Sequence, residues 1–314
     1  MSTCTSASRH LDEPLAGTAA TARTWLLIEQ SGPWGAKALT SSHLDPALGR
    51  ALEAAADGTG VRIALIRRPG RHADCGDSAE RHVYAAHTTP GNVWLHSAIT
   101  CAPEQVLDLD FAALGMGDPH TFDAVLQGRP HTGDPLALVC TNGKRDRCCA
   151  LLGRPLATEL SSSGVEGVWE VTHLGGHRFS PTLLVLPYGY AYGRAESHAV
   201  KEVLQGVGEG RVVVEGCRGR STWERPGQAA ELAVRTAAGE HSADALTVVR
   251  TEGAAPRWEV TVTHTDGRLW RVIVAQGASL PPRPESCGSP LGSPARMDVV
   301  AVRELTTTAF AVPC

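Results

Sequence analysis

The sequence predicts an α/β protein, and two observations lead to that class. Over the first two thirds of the chain, short apolar runs of strand length alternate with segments that carry helix start signals, as in β-α-β units. The last third carries strand-like runs on either side of a turn signal behind a single helix, which indicates an α+β region. We therefore expect an N-terminal α/β module (1–128), a middle module (129–212) and a C-terminal α+β module (213–314).

The N-terminal module begins with a buried strand. The apolar run in TWLLIEQSGPWG, starting at Thr24, is stopped by a Ser-Gly-Pro turn. Asp45 and Pro46 then form a helix start signal, because aspartate caps the first turn and proline tolerates the first helical position. The run VRIALIRRPG supplies the next strand, and a further strand is expected over 92–99.

The middle module follows a linker, PHTGDP, and starts with the strand PLALVC. We expect a helix over 147–160, kinked at Pro155 because proline lacks the amide hydrogen that the helix needs. The later elements are strands at 168–172 and 182–187 and a helix at 196–204. The order strand-helix-strand-strand-helix is that of a thioredoxin-like core.

The C-terminal module should pack one helix against a sheet. The segment PGQAAELAVRTAA, at 226–238, predicts the helix, and a strand is expected over 246–250. Asp266 and Gly267 separate two strand-like runs, which is a strong hairpin signal. A proline-rich loop precedes the last strand, at 297–302.

Composition and charge exclude several classes of protein. With 42% hydrophobic residues, 20% charged residues and a net charge of −4, the chain lacks the basic footprint of a nucleic-acid-binding protein. We find neither a signal-peptide pattern nor a run of about 18 apolar residues that would span a membrane. We therefore expect a cytoplasmic protein that binds neither nucleic acid nor membrane. Nine cysteines in a reducing compartment favour metal, cluster or redox chemistry over disulfides.

Two thiols and two imidazoles are grouped in the middle module. Cys140 ends the strand PLALVC, and Cys149 follows nine positions later at the start of the next helix. His173 and His177 flank two glycines in HLGGH, where we expect a loop because two glycines would cost a helix roughly 2 kcal/mol relative to alanine. Glycines in such a loop let backbone amides approach a bulky cofactor.

These residues are compatible with several kinds of chemistry. Two cysteines and two histidines suit tetrahedral zinc or a 2Fe-2S cluster with mixed ligands. Zinc sites usually pair cysteines two to four residues apart, so the nine-residue step discriminates only partly in favour of a cluster. The adjacent Cys148 and Cys149 leave dithiol chemistry open, although they lack Cys-x-x-Cys spacing. Alternatively, the cysteines are small core residues and the histidines are turn residues.

Several stretches of the chain resemble one known family. CTNGKRDRCCALLGRPLA, HLGGHRFSPTLLVLPYGYAYGR, WLLIEQSGPWG and LIRRPGR are similar to the sucrase/ferredoxin-like family, which includes fungal actin-patch-distal proteins, and the resemblance extends over nearly the whole chain. It implies that the middle module is a thioredoxin-like ferredoxin domain. It also implies a 2Fe-2S cluster held by Cys140, Cys149, His173 and His177, with Cys149 favoured over Cys148 by the family's spacing.

The resemblance implies an electron carrier more than an enzyme, and we assign no catalytic residue. Electrons would come from a separate reductase protein, because no nucleotide-binding fingerprint follows a strand. No carboxylate pair of the glycosidase kind supports the sucrase label. Structural zinc on the same scaffold and a thiol oxidoreductase using Cys148 and Cys149 stay as alternatives. The residues expected beside the ligands are Cys148, Arg145, Gly175, Gly176 and Arg178.

Overall fold

A computed structural model describes residues 4–70 and 80–305. The helices in these residues are α1 (Cys4–His10), α2 (Ala38–Ser41), α3 (Pro46–Ala56), α4 (Phe111–Gly115), α5 (His120–Leu126), α6 (Arg154–Ser162), α7 (Ser197–Gly208) and α8 (Arg225–Ala238). The strands are β1 (Thr24–Glu29), β2 (Val61–Arg67), β3 (Arg81–His87), β4 (Trp94–Thr100), β5 (Arg129–Pro130), β6 (Leu136–Cys140), β7 (Val168–Val171), β8 (Leu183–Leu186), β9 (Tyr190–Tyr192), β10 (Cys217–Arg220), β11 (Leu246–Ala254), β12 (Arg257–His264), β13 (Leu269–Ala278), β14 (Arg283–Pro284), β15 (Leu291–Gly292) and β16 (Ala295–Leu305).

A large mixed sheet and a separate antiparallel sheet confirm the α/β class. In the described chain, the large sheet has the order β10-β9-β8-β6-β7-β2-β1-β3-β4-β5. Two of its pairs are parallel, β1 with β2 and β6 with β7. Strands on either side of the expected module boundary at 128 share this sheet, because Ile66 of β2 pairs with Val171 of β7.

Most elements expected before residue 128 are present. A side-chain oxygen of Asp45 accepts a hydrogen bond from the Ala47 amide at 2.7 Å, so the cap of α3 forms as its sequence predicts. The expected strands correspond to β1, β2 and β4. Sequence reasoning missed β3, which lies between β1 and β4 and pairs antiparallel with both.

The middle of the chain differs from expectation at its first helix. The helix begins at Arg147, as expected, but a π-helical turn over Cys149–Gly153 interrupts it before α6 continues from Arg154. Pro155 lies two residues after this π-helical turn, at a point where the regular hydrogen-bond ladder of the helix is already interrupted. The expected kink at Pro155 stays a prediction. The strands β6, β7 and β8 and the helix α7 lie close to their predicted positions, whereas β9 was missed.

The cores of the large sheet lie on both of its faces. Along β6, Leu138 and Cys140 face one apolar cluster, while Ala137 and Val139 face the opposite cluster beneath α6 and α7. These four successive side chains point to alternate faces of the sheet because a strand has a period of two residues. Two candidate ligands, Cys140 and Cys149, thus lie inside the first of these clusters.

The C-terminal sheet has the order β11-β12-β13-β16 and packs against α8. Gly267 adopts a positive φ of 93° in the turn between β12 and β13, which confirms the predicted hairpin. No helix in the described part of the chain is both long and apolar enough to cross a membrane.

Buried His87 predicts a loss of stability in acid. Burial, with Arg23 and Arg220 adding to it, lowers the pKa of His87 to about 4. Between the unfolded pKa of about 6.5 and this value, only the unfolded chain binds the proton, so stability falls as pH falls, by about 3 kcal/mol in total. Denaturation midpoints measured from pH 7 to 4 should therefore fall less steeply in His87→Gln than in the wild type.

The matched control is His198→Gln, which alters an exposed imidazole and should keep the wild-type pH profile. Equal pH dependence of the wild type and His87→Gln would refute this account of His87.

Candidate metal centre

The two thiols of the candidate centre lie at the end of β6 and at the start of the π-helical turn. Cys140 and Cys149 are each only 1% exposed. The turn approaches the strand closely, since a β-carbon on Gly153 would lie 2.2 Å from the Cys140 carbonyl oxygen. Glycine at this position therefore lets the segment with the second thiol pack against the strand with the first.

The two imidazoles lie on the loop that follows β7. Because β6 and β7 are parallel, the carboxyl ends of both strands meet at one sheet edge, and this brings the loop to the thiols. Gly175 and Gly176 have φ values of +78° and +72°, which confirms the expected glycine loop. The half-buried rings of His173 and His177 stack with centroids 4.2 Å apart and 17° between their planes.

The structure brings all four predicted ligand residues together. Cys149 Sγ lies 3.5 Å from Nδ1 of His177. Cys149 and His173 lie beside Cys140, where both lower the pKa of its thiol. With the stacked histidines, these contacts close a ring in which thiol neighbours thiol and imidazole neighbours imidazole.

The protonation states in this ring suit metal ligation. The hydrogen bond from Cys149, supported by His173, holds the pKa of Cys140 well below its usual range despite burial. The same contact and burial raise the pKa of Cys149. Burial, together with the neighbouring His173, lowers the pKa of His177 to about 4. These shifts favour the thiolate of Cys140 and the neutral imidazole of His177, the forms that bind metals.

Two arginines beside the ring were missed by sequence reasoning. Arg62 of β2 donates to the His173 carbonyl oxygen at 3.2 Å, and buried Arg218 of β10 donates to the Gly175 carbonyl oxygen at 3.2 Å. Burial lowers the pKa of Arg218 to about 10, which still leaves it charged at neutral pH. Both strands are remote in sequence from the ligand motifs, so the position of these two arginines beside the ligands follows only from the order of the strands in the sheet.

The residues expected beside the ligands have different roles. Arg178 is buried and pairs with Glu13 at 2.8 Å. Arg145 is exposed on the turn between the cysteines. The space beside Gly176 is filled by Arg218, whose Nη2 would lie 2.1 Å from an added β-carbon, whereas an added β-carbon at Gly175 would meet nothing within 4 Å.

Cys148 is adjacent to Cys149 but contacts another group of side chains. Its sulfur lies 3.5 Å from Sγ of Cys4 and 3.1 Å from Sγ of Cys287. The sulfur of Cys149 is instead within 3.7 Å of the Ser180 hydroxyl, which donates to it. The neighbouring thiols therefore contact different side chains, and Asp146 lies within reach of both groups.

The fold and the ring of donors define an α/β protein with a candidate two-cysteine, two-histidine metal centre. The sucrase/ferredoxin-like family model matches residues 15–219, more than half of the chain and including all four candidate ligands, so the chain belongs to the sucrase/ferredoxin-like family. No curated protein and no solved structure matches the chain. The match ends before α8, so it is shorter than the expected resemblance over nearly the whole chain and leaves out the C-terminal sheet.

Proposed function

We propose that the chain is an electron-transfer protein that binds a 2Fe-2S cluster through Cys140, Cys149, His173 and His177, with the middle region acting as a thioredoxin-like ferredoxin domain. The observation that carries the proposal is the grouping of the four residues at one sheet edge, with Cys149 Sγ 3.5 Å from Nδ1 of His177 and the rings of His173 and His177 stacked. Family membership adds support, because the matched region contains the whole ring.

The donor set fits such a group chemically. Thiolates bind iron-sulfur clusters, and two histidines replace two cysteines on one iron of Rieske centres. A ring that pairs like donors suits a centre with two metal atoms, one for each pair. When bound, the cluster supplies one-electron redox chemistry.

The surrounding residues would tune and orient the centre. Burial of both cysteines excludes water from the thiolates, whereas the half-buried histidines face the outside of the molecule. Arg62 and Arg218 place positive charge beside the thiolates and offset part of their negative charge. We therefore expect a redox partner protein, with its reductase encoded separately, to approach from the histidine side.

Histidine ligation predicts a raised and pH-dependent potential. Neutral imidazoles leave a bound cluster less negative than thiolates do, and free ring nitrogens titrate with oxidation state. The variant His177→Cys should therefore lower the midpoint potential by on the order of 100 mV and flatten its dependence on pH. The measurement is a redox titration from pH 6 to 10, with His198→Cys, the same replacement at an exposed helical position, as the control. A potential in His177→Cys equal to that of the wild type would argue against histidine ligation.

A structural zinc ion at the same place is the second candidate. Ligand atoms of Asp146, Cys149 and His177 lie within 4.8 Å of one another, which is close enough for a single ion. The thiol-oxidoreductase alternative has less support, because the sulfurs of Cys148 and Cys149 contact different partners.

A further inference from the structure

A second group of thiols lies next to the ring and takes no part in it. Cys4 belongs to α1, Cys148 precedes the π-helical turn, and Cys287 lies in the loop between β14 and β15. Their sulfurs form a triangle with sides of 3.5 Å (Cys4 to Cys148), 3.6 Å (Cys4 to Cys287) and 3.1 Å (Cys148 to Cys287). Three segments that are remote in sequence thus bring their cysteine sulfurs to one point.

A carboxylate completes this group. Buried Asp146 accepts a hydrogen bond from the Cys148 amide through Oδ1 at 2.8 Å and another from the Cys287 amide through Oδ2 at 2.8 Å. The same Oδ2 lies 3.9 Å from Sγ of Cys4. All four ligand atoms lie within 4.8 Å of one another, and only Cys287 is more than slightly exposed.

We propose that Cys4, Cys148, Cys287 and Asp146 form a second metal site that binds Zn²⁺, separate from the electron-transfer centre. Tetrahedral zinc with bonds to sulfur of about 2.3 Å places its sulfurs about 3.8 Å apart, and two sides of the triangle are within about 0.3 Å of that separation. Three thiolates and a carboxylate make a closed donor set, as in structural zinc sites.

Binding is a ligand exchange without electron transfer. Each of the three thiols loses its proton to solvent, the Asp146 carboxylate supplies the fourth ligand, and the four zinc-ligand bonds replace the bonds of the ion to water. A disulfide between Cys148 and Cys287 is the competing use of the same sulfurs, and it would need an oxidant and an S–S distance of about 2.05 Å.

The site would hold α1 and the loop between β14 and β15 beside the ligand ring. The neighbour of Cys4, Thr5, donates through its hydroxyl to the His177 carbonyl oxygen at 3.1 Å, so α1 lies directly against the histidine loop. Cys287 brings the C-terminal loop to the same place. A zinc ion here would hold α1 and this loop against the segment that carries Cys149.

The test is metal analysis of the anaerobically purified full chain together with its Cys4→Ser and Cys287→Ser variants. We expect about one zinc per wild-type chain, at least a tenfold loss of zinc in both variants, and unchanged iron, which also shows that the variants fold. Cys101→Ser, at an exposed position, should keep both metals. Cys149→Ser should lose iron but keep zinc. A colourless wild-type protein whose zinc is lost in Cys4→Ser and Cys287→Ser would reject the cluster and still support the zinc site.

Replacement of the metal by Co²⁺ gives an optical readout of the same site. Thiolate-to-cobalt charge-transfer absorption that is intact in Cys149→Ser would support the site. The proposal is overturned by a wild-type chain that holds no zinc after incubation with Zn²⁺ and desalting, by zinc that survives both serine variants, or by a Cys148–Cys287 disulfide in the anaerobic protein.

Discussion

Replacement of Cys149 by serine should lower the iron content of the anaerobically purified protein at least about tenfold. Cys149 contacts both Cys140 and His177, so it joins the thiol side of the ring to the imidazole side. A serine hydroxyl does not ionise near neutral pH and is a harder donor than thiolate, so it leaves the soft metal with an incomplete ligand set. Iron and sulfide assays with the visible spectrum measure the effect.

The matched control is Cys217→Ser. Cys217 is also buried, on β10, and burial raises its pKa to about 12, so it is a thiol of similar environment outside the ring. This variant should keep its iron. If Cys148→Ser lost the iron while Cys149→Ser kept it, the assignment of the second thiolate would have to move to Cys148.

Replacement of Glu13 by glutamine should destabilise the fold by about 3–5 kcal/mol, because it leaves two guanidinium groups without their counter-charge. Glu13 is 2% exposed, and its two oxygens pair with Arg178 at 2.8 Å and Arg283 at 3.0 Å. Arg178 directly follows the candidate ligand His177. The ion triad therefore anchors the N-terminal segment and the C-terminal loop to the histidine loop, and the variant should also weaken metal binding.

The pH dependence of this effect follows from the pKa of Glu13. Burial would raise that pKa, but Arg283 and Arg178 outweigh burial and lower it. The carboxylate therefore contributes stability above the unfolded pKa, and this contribution is lost as pH falls through the lower folded value. The measurement is the denaturant midpoint of the wild type and of Glu13→Gln at pH 7 and at pH 4. The difference between the two midpoints should be smaller at pH 4.

The neighbouring Asp12 offers a matched control. Its carboxylate is fully exposed and pairs with Arg194 at 3.4 Å, so Asp12→Asn should leave the midpoint unchanged. A midpoint in Glu13→Gln equal to that of the wild type would show that the buried triad does not stabilise the fold.

Signals between residues close in sequence predicted most of the secondary structure. The cap at Asp45 and the turn at Gly267 depend on neighbours within a few positions, so their sequences suffice to specify them. The same holds for the candidate ligands, which occupy two short motifs at the ends of adjacent parallel strands.

Features that depend on long-range pairing were not predictable. The strand β3 is defined by its two partners, and Arg62 and Arg218 reach the ring only through the order of the large sheet. Cys4 and Cys287 are 283 residues apart, so no local pattern relates them. The cysteine cluster at Cys148 therefore emerged only from the structure.

The decisive measurement is the iron, sulfide and zinc content of the anaerobically purified full chain, with its visible spectrum before and after dithionite. A 2Fe-2S centre at Cys140, Cys149, His173 and His177 predicts about two irons and two sulfides per chain and a brown colour that bleaches on reduction. A colourless protein that contains neither iron nor sulfide would contradict an electron-transfer centre at this ring.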